Sequence, residues 1–326
     1  MRALPGFPHC MASNRETASL HDRAYAAMDD GALAAAAVHF RELIRVQPDN
    51  RNYHYMLGLA HKYLRDWPAS LRHNLRAIEL CGAEGDEAAD WNAAIAATAI
   101  GDWREVRRSW SRRGIPIPEG EGPIDHDFGL AVVRLNPWSG GETVFARRID
   151  PVRARLLNVP LPESGHRFGD IVLHDGASTG HRLFRDRRIS VFNELERLVP
   201  SAFRTFPVFV HCADKESLQS LLDATAPGVG HVEDWTDTVH SLCMRCSYGA
   251  PHRHVDVAEK GWDADRNLGI AAQGRASVEK LLRDWMRTGK GRGIDAIESR
   301  ECDVPPVVVG HDWWSGHAKD DATEAG

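Results

Sequence analysis

Two cysteines and two histidines within twelve residues form the sharpest chemical pattern in this 326-residue chain. They are Cys243, Cys246, His252 and His254. Two cysteines separated by two residues can direct both sulfurs toward one point, and two histidines separated by one residue lie on the same face of an extended strand. Four such ligands suit tetrahedral zinc, so the sequence predicts a zinc site. Two unligated thiols near surface histidines, or a redox dithiol, are the alternatives.

The number of ligands would decide what such a zinc does. Four protein ligands give a closed, structural site, whereas three leave a position for a water that can become a nucleophile. In the second case His252, His254 and one of the cysteines would bind the metal, and Asp256 would serve as the base of a hydrolase.

A second set of histidines lies between Ser164 and Arg182, and aspartates are interleaved with them. A histidine and an aspartate in contact can serve acid–base chemistry. Spacing alone does not bring these residues together, so exposed or satisfied polar roles are the expectation. The set comprises His166, His174 and His181, with Asp170 and Asp175.

An internal repeat organises the first third of the chain, because equivalent residues recur after 34 and then 36 residues. This period predicts paired helices, six in all, over residues 17–113. Small residues allow the paired helices to approach, and each pair also has a turn residue, a packing residue on the second helix and a terminator. In that order, the sets are Ala24, Gly58 and Ala94; Gly31, Arg65 and Gly101; Phe40, Asn74 and Trp110; and Pro48, Gly82 and Pro118.

These helix pairs resemble the tetratricopeptide repeat (TPR) family. The resemblance is clearest in Tyr55-Met56-Leu57-Gly58-Leu59-Ala60 and in the paired turns Asp66-Trp67 and Asp102-Trp103. The sequence departs from the family pattern at Asn74, Ser70 and Arg113. Membership would imply a scaffold in which the first helix of each pair faces a ligand.

The resemblance also implies which residues would line a binding groove. By register they are Tyr25, Tyr55, Lys62 and Trp91. Flat aromatic rings give a large contact area at low entropic cost, so this strip is expected to bind an extended apolar peptide of a protein partner. The alternative is that the second domain of the same chain covers the groove.

The second half reads as alternating strands and helices. Residues 115–123 are rich in proline and glycine and predict a linker. Strands are then predicted at 128–135, 142–149, 154–159, 170–174, 206–211 and 229–232, with helices at 215–224 and 278–286. This order predicts an α+β fold with a mostly antiparallel sheet and helices to one side. The expected organisation is a loose leader (1–16), a TPR-like domain (17–120), an α+β domain (121–257) and a partly disordered C-terminal extension (258–326).

Composition narrows the class of function. A formal charge of −6 argues against nucleic acid or membrane as the main partner. The sequence shows neither an apolar stretch of membrane-spanning length nor a secretory h-region, so a cytoplasmic protein is expected. Six cysteines are too sparse for a disulfide framework. The leading interpretation is a cytoplasmic, non-catalytic adaptor that binds a protein and has a zinc-stabilised second domain. The alternatives are a zinc-dependent hydrolase with a substrate-positioning helical domain, and a regulatory or toxin-neutralising protein with a basic partner.

Overall fold

The fold is α+β, as the sequence predicts. A computed structural model describes residues 8–82, 85–185, 187–238 and 262–309, with side chains from residue 15 onward. The described residues form two compact units: one contains the residues up to Ile124 together with Val308 and Val309, and the other spans Asp125–Val307. No helix among the described residues has both the length and the apolar character needed to cross a membrane.

Six helices build the first unit, which confirms the prediction for this region. Residues 8–16, which the sequence assigned to a loose leader, lie within the first helix. The helices are α1 (Pro8–Asp29), α2 (Leu33–Val46), α3 (Arg51–Tyr63), α4 (Trp67–Cys81), α5 (Glu87–Ile100) and α6 (Trp103–Arg112).

The same turn joins the helices of each pair. Gly31, Arg65 and Gly101 all adopt left-handed backbone, with φ of 69°, 60° and 73°. The amide that follows each turn residue donates to a carbonyl five residues earlier, for example from Asp66 to His61 at 2.9 Å. This is the Schellman arrangement, which satisfies carbonyls at a helix end. The turns therefore repeat with the 34- and 36-residue spacing of the sequence.

Close approach of paired helices is clearest between α3 and α4. A Cβ atom added to Gly58 would lie 2.5 Å from Nδ2 of Asn74, so only glycine fits there. The side-chain amide of Asn74 donates to the Ser70 carbonyl at 2.8 Å, and the Ser70 hydroxyl donates to the Gly58 carbonyl at 2.8 Å. Phe40 and Trp110, the equivalents of Asn74, are fully buried.

The second unit begins with a closed five-stranded barrel. Neighbouring strands are antiparallel except at the closure, where residues 132–134 of the first strand pair in parallel with residues 191–193 of the fifth. Seven small or aliphatic side chains form the buried core of this barrel, among them Val133, Val144 and Leu156. The strands are β1 (Leu130–Leu135), β2 (Glu142–Arg148), β3 (Arg153–Leu156), β4 (Ile171–Phe184) and β5 (Arg187–Val199).

A four-stranded antiparallel sheet with the order β7-β8-β6-β9 follows the barrel. Among the described residues, and apart from one short helix (Trp235–Thr238), its βαββαβ succession and its strand order are those of the ferredoxin-like arrangement. Side chains of α7 and α9 cover one face of the sheet in a shared apolar core. The elements are β6 (Arg204–Cys212), α7 (Lys215–Leu222), β7 (Val229–Asp234), α8 (Trp235–Thr238), β8 (Asp265–Ala272), α9 (Arg275–Arg287) and β9 (Arg292–Ile297).

This sheet corrects the expected boundary at residue 258. β8 pairs with β6 over its whole length, and β9 pairs with the other edge of β6. Residues 265–297 are therefore part of the α+β unit rather than of an extension. The boundary was misplaced because β8 carries no strand signal strong enough to stand out from its neighbours.

Candidate functional site

The expected groove residues differ in their exposure. Tyr25, Tyr55 and Trp91 are each half-buried, whereas Lys62 is only 3% exposed. The ammonium of Lys62 lies 4.5 Å from the centroid of the Tyr63 ring, in cation–π contact. Lys62 therefore stabilises its own helix surface and is not open to solvent.

Register separates the aromatic residues into two groups. Tyr25 is equivalent to Leu59 and Ile95, which are 8% and 1% exposed, so this position points into the protein in the second and third hairpins. Tyr55 and Trp91 are equivalent instead to His21, at spacings of 34 and 36 residues.

His21, Tyr55 and Trp91, hereafter the ring column, are all half-buried. Each first helix thus presents one partly exposed ring at the same place.

Core contacts hold the two ends of the ring column. The Trp91 ring packs edge-on against the fully buried Trp110, with centroids 4.8 Å apart. His21 packs against Tyr25 with centroids 4.5 Å apart, and its Nδ1 lies 3.2 Å from the Tyr53 hydroxyl. Burial raises the pKa of Tyr25 and of Tyr53, so both phenols keep their protons. The ring column is therefore preorganised, because its rings are fixed before any ligand arrives.

A cleft of about 300 Å³ opens beside His21. It lies between the middle of α1 and the start of α3, and Tyr53 forms part of its wall. The sequence pattern did not assign Tyr53 to a binding surface, because its neighbour Tyr55 occupies the expected register. The structure places Tyr53 beside α1, and its hydroxyl lies within hydrogen-bond distance of His21, so Tyr53 contributes to the wall of the cleft.

Three histidines meet between α3 and α4. His54 Nε2 donates to the Pro48 carbonyl at 2.9 Å, so its Nδ1 accepts from His73 Nδ1 at 3.1 Å. Burial and the nearby Arg72 lower the pKa of His73 to about 4. Burial also lowers the pKa of His61, although Asp66, 3.1 Å away, acts in the opposite direction. Burial thus favours the neutral form of His61 and of His73, and the three rings pack against one another.

The other histidine set does not converge on one site. His166 is buried, with Nε2 2.6 Å from Glu194 and Nδ1 3.0 Å from the Ser164 carbonyl. The Ser164 carbonyl can only accept, so Nδ1 carries a proton, and the contact of Nε2 with the Glu194 carboxyl group favours the imidazolium form. Burial alone would lower its pKa, but the hydrogen bond and charge of Glu194 raise it.

His174 has a different environment within the same barrel. It is fully buried, its Nδ1 donates to the Asp175 carbonyl at 2.7 Å, and burial lowers its pKa to about 4. It stacks on Phe192, with ring centroids 4.7 Å apart. His166 thus has the satisfied polar role expected of it. His174 differs from the expectation, because it is fully buried and its Nε2 has no hydrogen-bond partner among the described residues. His181 lies half-buried near the end of β4.

Carboxylates clamp the segment between β3 and β4. Both oxygens of Glu142 accept from the Leu161 amide at 3.2 Å, and Glu233 accepts from Asn158 Nδ2 at 2.8 Å and from the Val159 amide at 2.6 Å. Burial raises the pKa of Glu142 to about 7, the Leu161 hydrogen bonds oppose this, and Glu233 adds to it. The sequence did not predict that Glu142 and Glu233 bind the same segment, because the two residues are far apart along the chain.

The predicted zinc ligands Cys243, Cys246, His252 and His254, and Asp256, lie outside the described residues. Within the described part of the chain, no group of three or more histidine, cysteine, aspartate or glutamate side chains is placed to hold a metal ion. Among the cysteines whose side chains are described, Cys81, Cys212 and Cys302 form no disulfide. Comparison of the sequence with protein-family models and with curated proteins finds no match.

Proposed function

We propose that this protein is an adaptor whose helical hairpins, as TPR-like repeats, bind an extended segment of a partner protein. The observation that carries the proposal is the ring column, with one half-buried ring at the same place on each hairpin. Stacked repeats create extended surfaces of this kind, on which each repeat contributes an equivalent contact.

The spacing of the rings indicates what they would bind. Packed helices lie about 8–10 Å apart, and an extended chain advances about 3.3 Å per residue. Neighbouring rings would then meet side chains about three residues apart. The preferred ligand is an extended peptide with an apolar side chain at every third position, which polyproline-type backbone presents along one edge.

The surroundings of the ring column favour an uncharged contact. Lys62 is buried, and burial lowers the pKa of His61 and of His73, so these three residues add no exposed charge beside the rings. The partner is therefore selected by its apolar side chains. As part of the same proposal we place the protein in the cytoplasm, where sparse, unpaired cysteines are the rule.

Quantitative affinity purification with Tyr55→Ala, Tyr55→Phe and the wild-type chain tests the proposal. We expect one set of bound proteins to be lost with Tyr55→Ala and retained with Tyr55→Phe, because the phenyl ring supplies the contact area. Ile100→Ala is a matched control, since Ile100 is 45% exposed on α5 and lies outside the ring column.

Thermal unfolding of each variant separates lost binding from lost stability. Tyr55 packs on the apolar core of the first hairpins, so Tyr55→Ala lowers stability somewhat in any case. If all variants bind the same proteins equally well while remaining folded, the ring column is not a binding surface and the proposal is wrong.

A further inference from the structure

The end of the β4–β5 hairpin exposes apolar and cationic side chains together. The two strands stay paired to the last residues before the turn, where Phe184 lies opposite Arg187 and Leu183 lies opposite Arg188. Leu183 is 63% exposed and Phe184 is 39% exposed, and they are adjacent in sequence. Single exposed apolar residues are common, but here two of them coincide with a strong local charge.

That charge comes from arginines. Residues 181–188 contain four arginines and one acidic residue, Asp186, in a chain of net charge −6. Arg185, Arg187 and Arg188 are exposed. No carboxylate in the described ranges forms an ion pair with these three arginines, whereas many arginines elsewhere in the chain are paired.

The hairpin holds these side chains in a fixed arrangement. Residues directly opposite one another in an antiparallel pair share a face, so Leu183 lies beside Arg188 and Phe184 beside Arg187. The Phe184 ring packs against Phe145 of β2 with centroids 4.9 Å apart, and the Arg185 guanidinium lies 5.3 Å from the Phe184 ring. Both faces of the hairpin end therefore carry an apolar group next to a guanidinium.

We propose that this hairpin end docks on an anionic phospholipid bilayer. Leu183 and Phe184 enter the boundary between headgroups and acyl chains, and the arginines contact lipid phosphates. Interfacial binding increases with buried apolar area and with attraction to anionic lipids, and this surface supplies both.

The pattern of exposure favours a bilayer over a nucleic acid. The most exposed apolar side chain is an aliphatic leucine, which neither stacks on bases nor contacts phosphates. At a bilayer interface the same side chain is buried favourably. Because the chain as a whole is net negative, attraction to an anionic surface depends on local groups of arginines such as this one, and the contact is salt-sensitive.

Cosedimentation of the full chain with lipid vesicles tests the proposal. We expect binding to vesicles containing roughly one third phosphatidylserine and little binding to phosphatidylcholine alone. Each arginine near such a surface contributes about fivefold in partitioning. Arg187→Glu combined with Arg188→Glu should therefore reduce binding at least tenfold, and Leu183→Ser should reduce it without changing its salt dependence.

A matched variant controls for total charge. Arg23→Glu combined with Arg45→Glu makes the same change at two exposed arginines of the helical unit and should leave vesicle binding close to wild type. Circular dichroism shows whether each variant is folded. The proposal is overturned by equal binding to neutral and anionic vesicles, by equal losses in the two charge variants, or by tight RNA binding that Leu183→Ser does not affect.

Discussion

Replacing Glu142 with glutamine should change how the stability of the barrel depends on pH. Glu142 begins β2 and shares the side-chain parity of Val144 and Ala146, which belong to the barrel core. Both of its oxygens accept from the Leu161 amide. Burial is the main reason why the pKa of Glu142 rises from 4.5 to about 7. In the folded protein the carboxyl group therefore keeps its proton at pH values where an exposed glutamate has lost it.

The sign of the effect follows from proton linkage. Between pH 4.5 and about 7 the unfolded chain loses the Glu142 proton while the folded chain keeps it. The stabilising contribution of this group is therefore complete below pH 4.5 and is lost as the pH rises through 7. A displacement from 4.5 to about 7 corresponds to at most about 3 kcal/mol of unfolding free energy. Glutamine has the same shape and no charge, so Glu142→Gln should remove this loss.

Hydrogen exchange of the β1 and β2 peptides, with urea unfolding followed by circular dichroism, measures the effect. The variant and the wild type should be similarly stable near pH 4.5, and the variant should be up to about 3 kcal/mol more stable near pH 8. Glu216→Gln removes an exposed carboxylate that does not act on Glu142 and gives the baseline for losing a charge. If the difference between Glu142→Gln and wild type does not grow with pH, the carboxyl group is not held in its neutral form.

Three further predictions concern other parts of the chain. His174→Phe should weaken the loss of barrel stability on acidification. The pKa of His174 is about 4 in the folded chain and 6.5 in the unfolded chain, so the unfolding free energy of wild type falls by up to about 3 kcal/mol as the pH falls from 6.5 to 4. The same exchange assay measures this difference. Gly58→Ala should destabilise the helical unit, since overpacking costs about 1–3 kcal/mol and exceeds the helix-propensity gain of about 1 kcal/mol. Adding Asn74→Ala should relieve the clash between the two side chains. If the two substitutions lower the melting temperature additively, the close approach of the helices at Gly58 is contradicted. Elemental mass spectrometry should find near one zinc per chain in wild type and none in a Cys243→Ser, Cys246→Ser double variant. Equal zinc content in both proteins would contradict the zinc site predicted from the sequence.

Local signals predicted the helical unit well. Turn glycines, aspartate caps and small residues act on their immediate neighbours, so the period of 34 and 36 residues shows in the sequence and returns as three left-handed turns. Asp66, Asp86 and Asp102 each cap the following helix by accepting from a backbone amide three residues later. Short-range sequence patterns also predicted a strand starting at Glu142 and a helix starting at Lys215, and both elements start at these residues in the structure.

Long-range pairing explains what the sequence left undecided. Barrel closure joins Val132 to Val191, and the four-stranded sheet joins β6 to β8 more than fifty residues later. No periodicity in either strand encodes its partner, because the alternation of side chains fixes a face and not a neighbour. The single sheet expected from the sequence is for this reason a barrel and a separate sheet.

The sequence by itself determined the elements that depend on short-range chemistry: the paired helices, their turns, most strands and the α+β class. Tertiary structure alone decided which titratable groups lose contact with water. Glu142, His166 and His174 have pKa values set by burial and by partners as distant as Glu194, and burial is a property of the assembled barrel. The exposure of the ring column and of the hairpin end is decided in the same way, since a residue's accessibility depends on what packs over it.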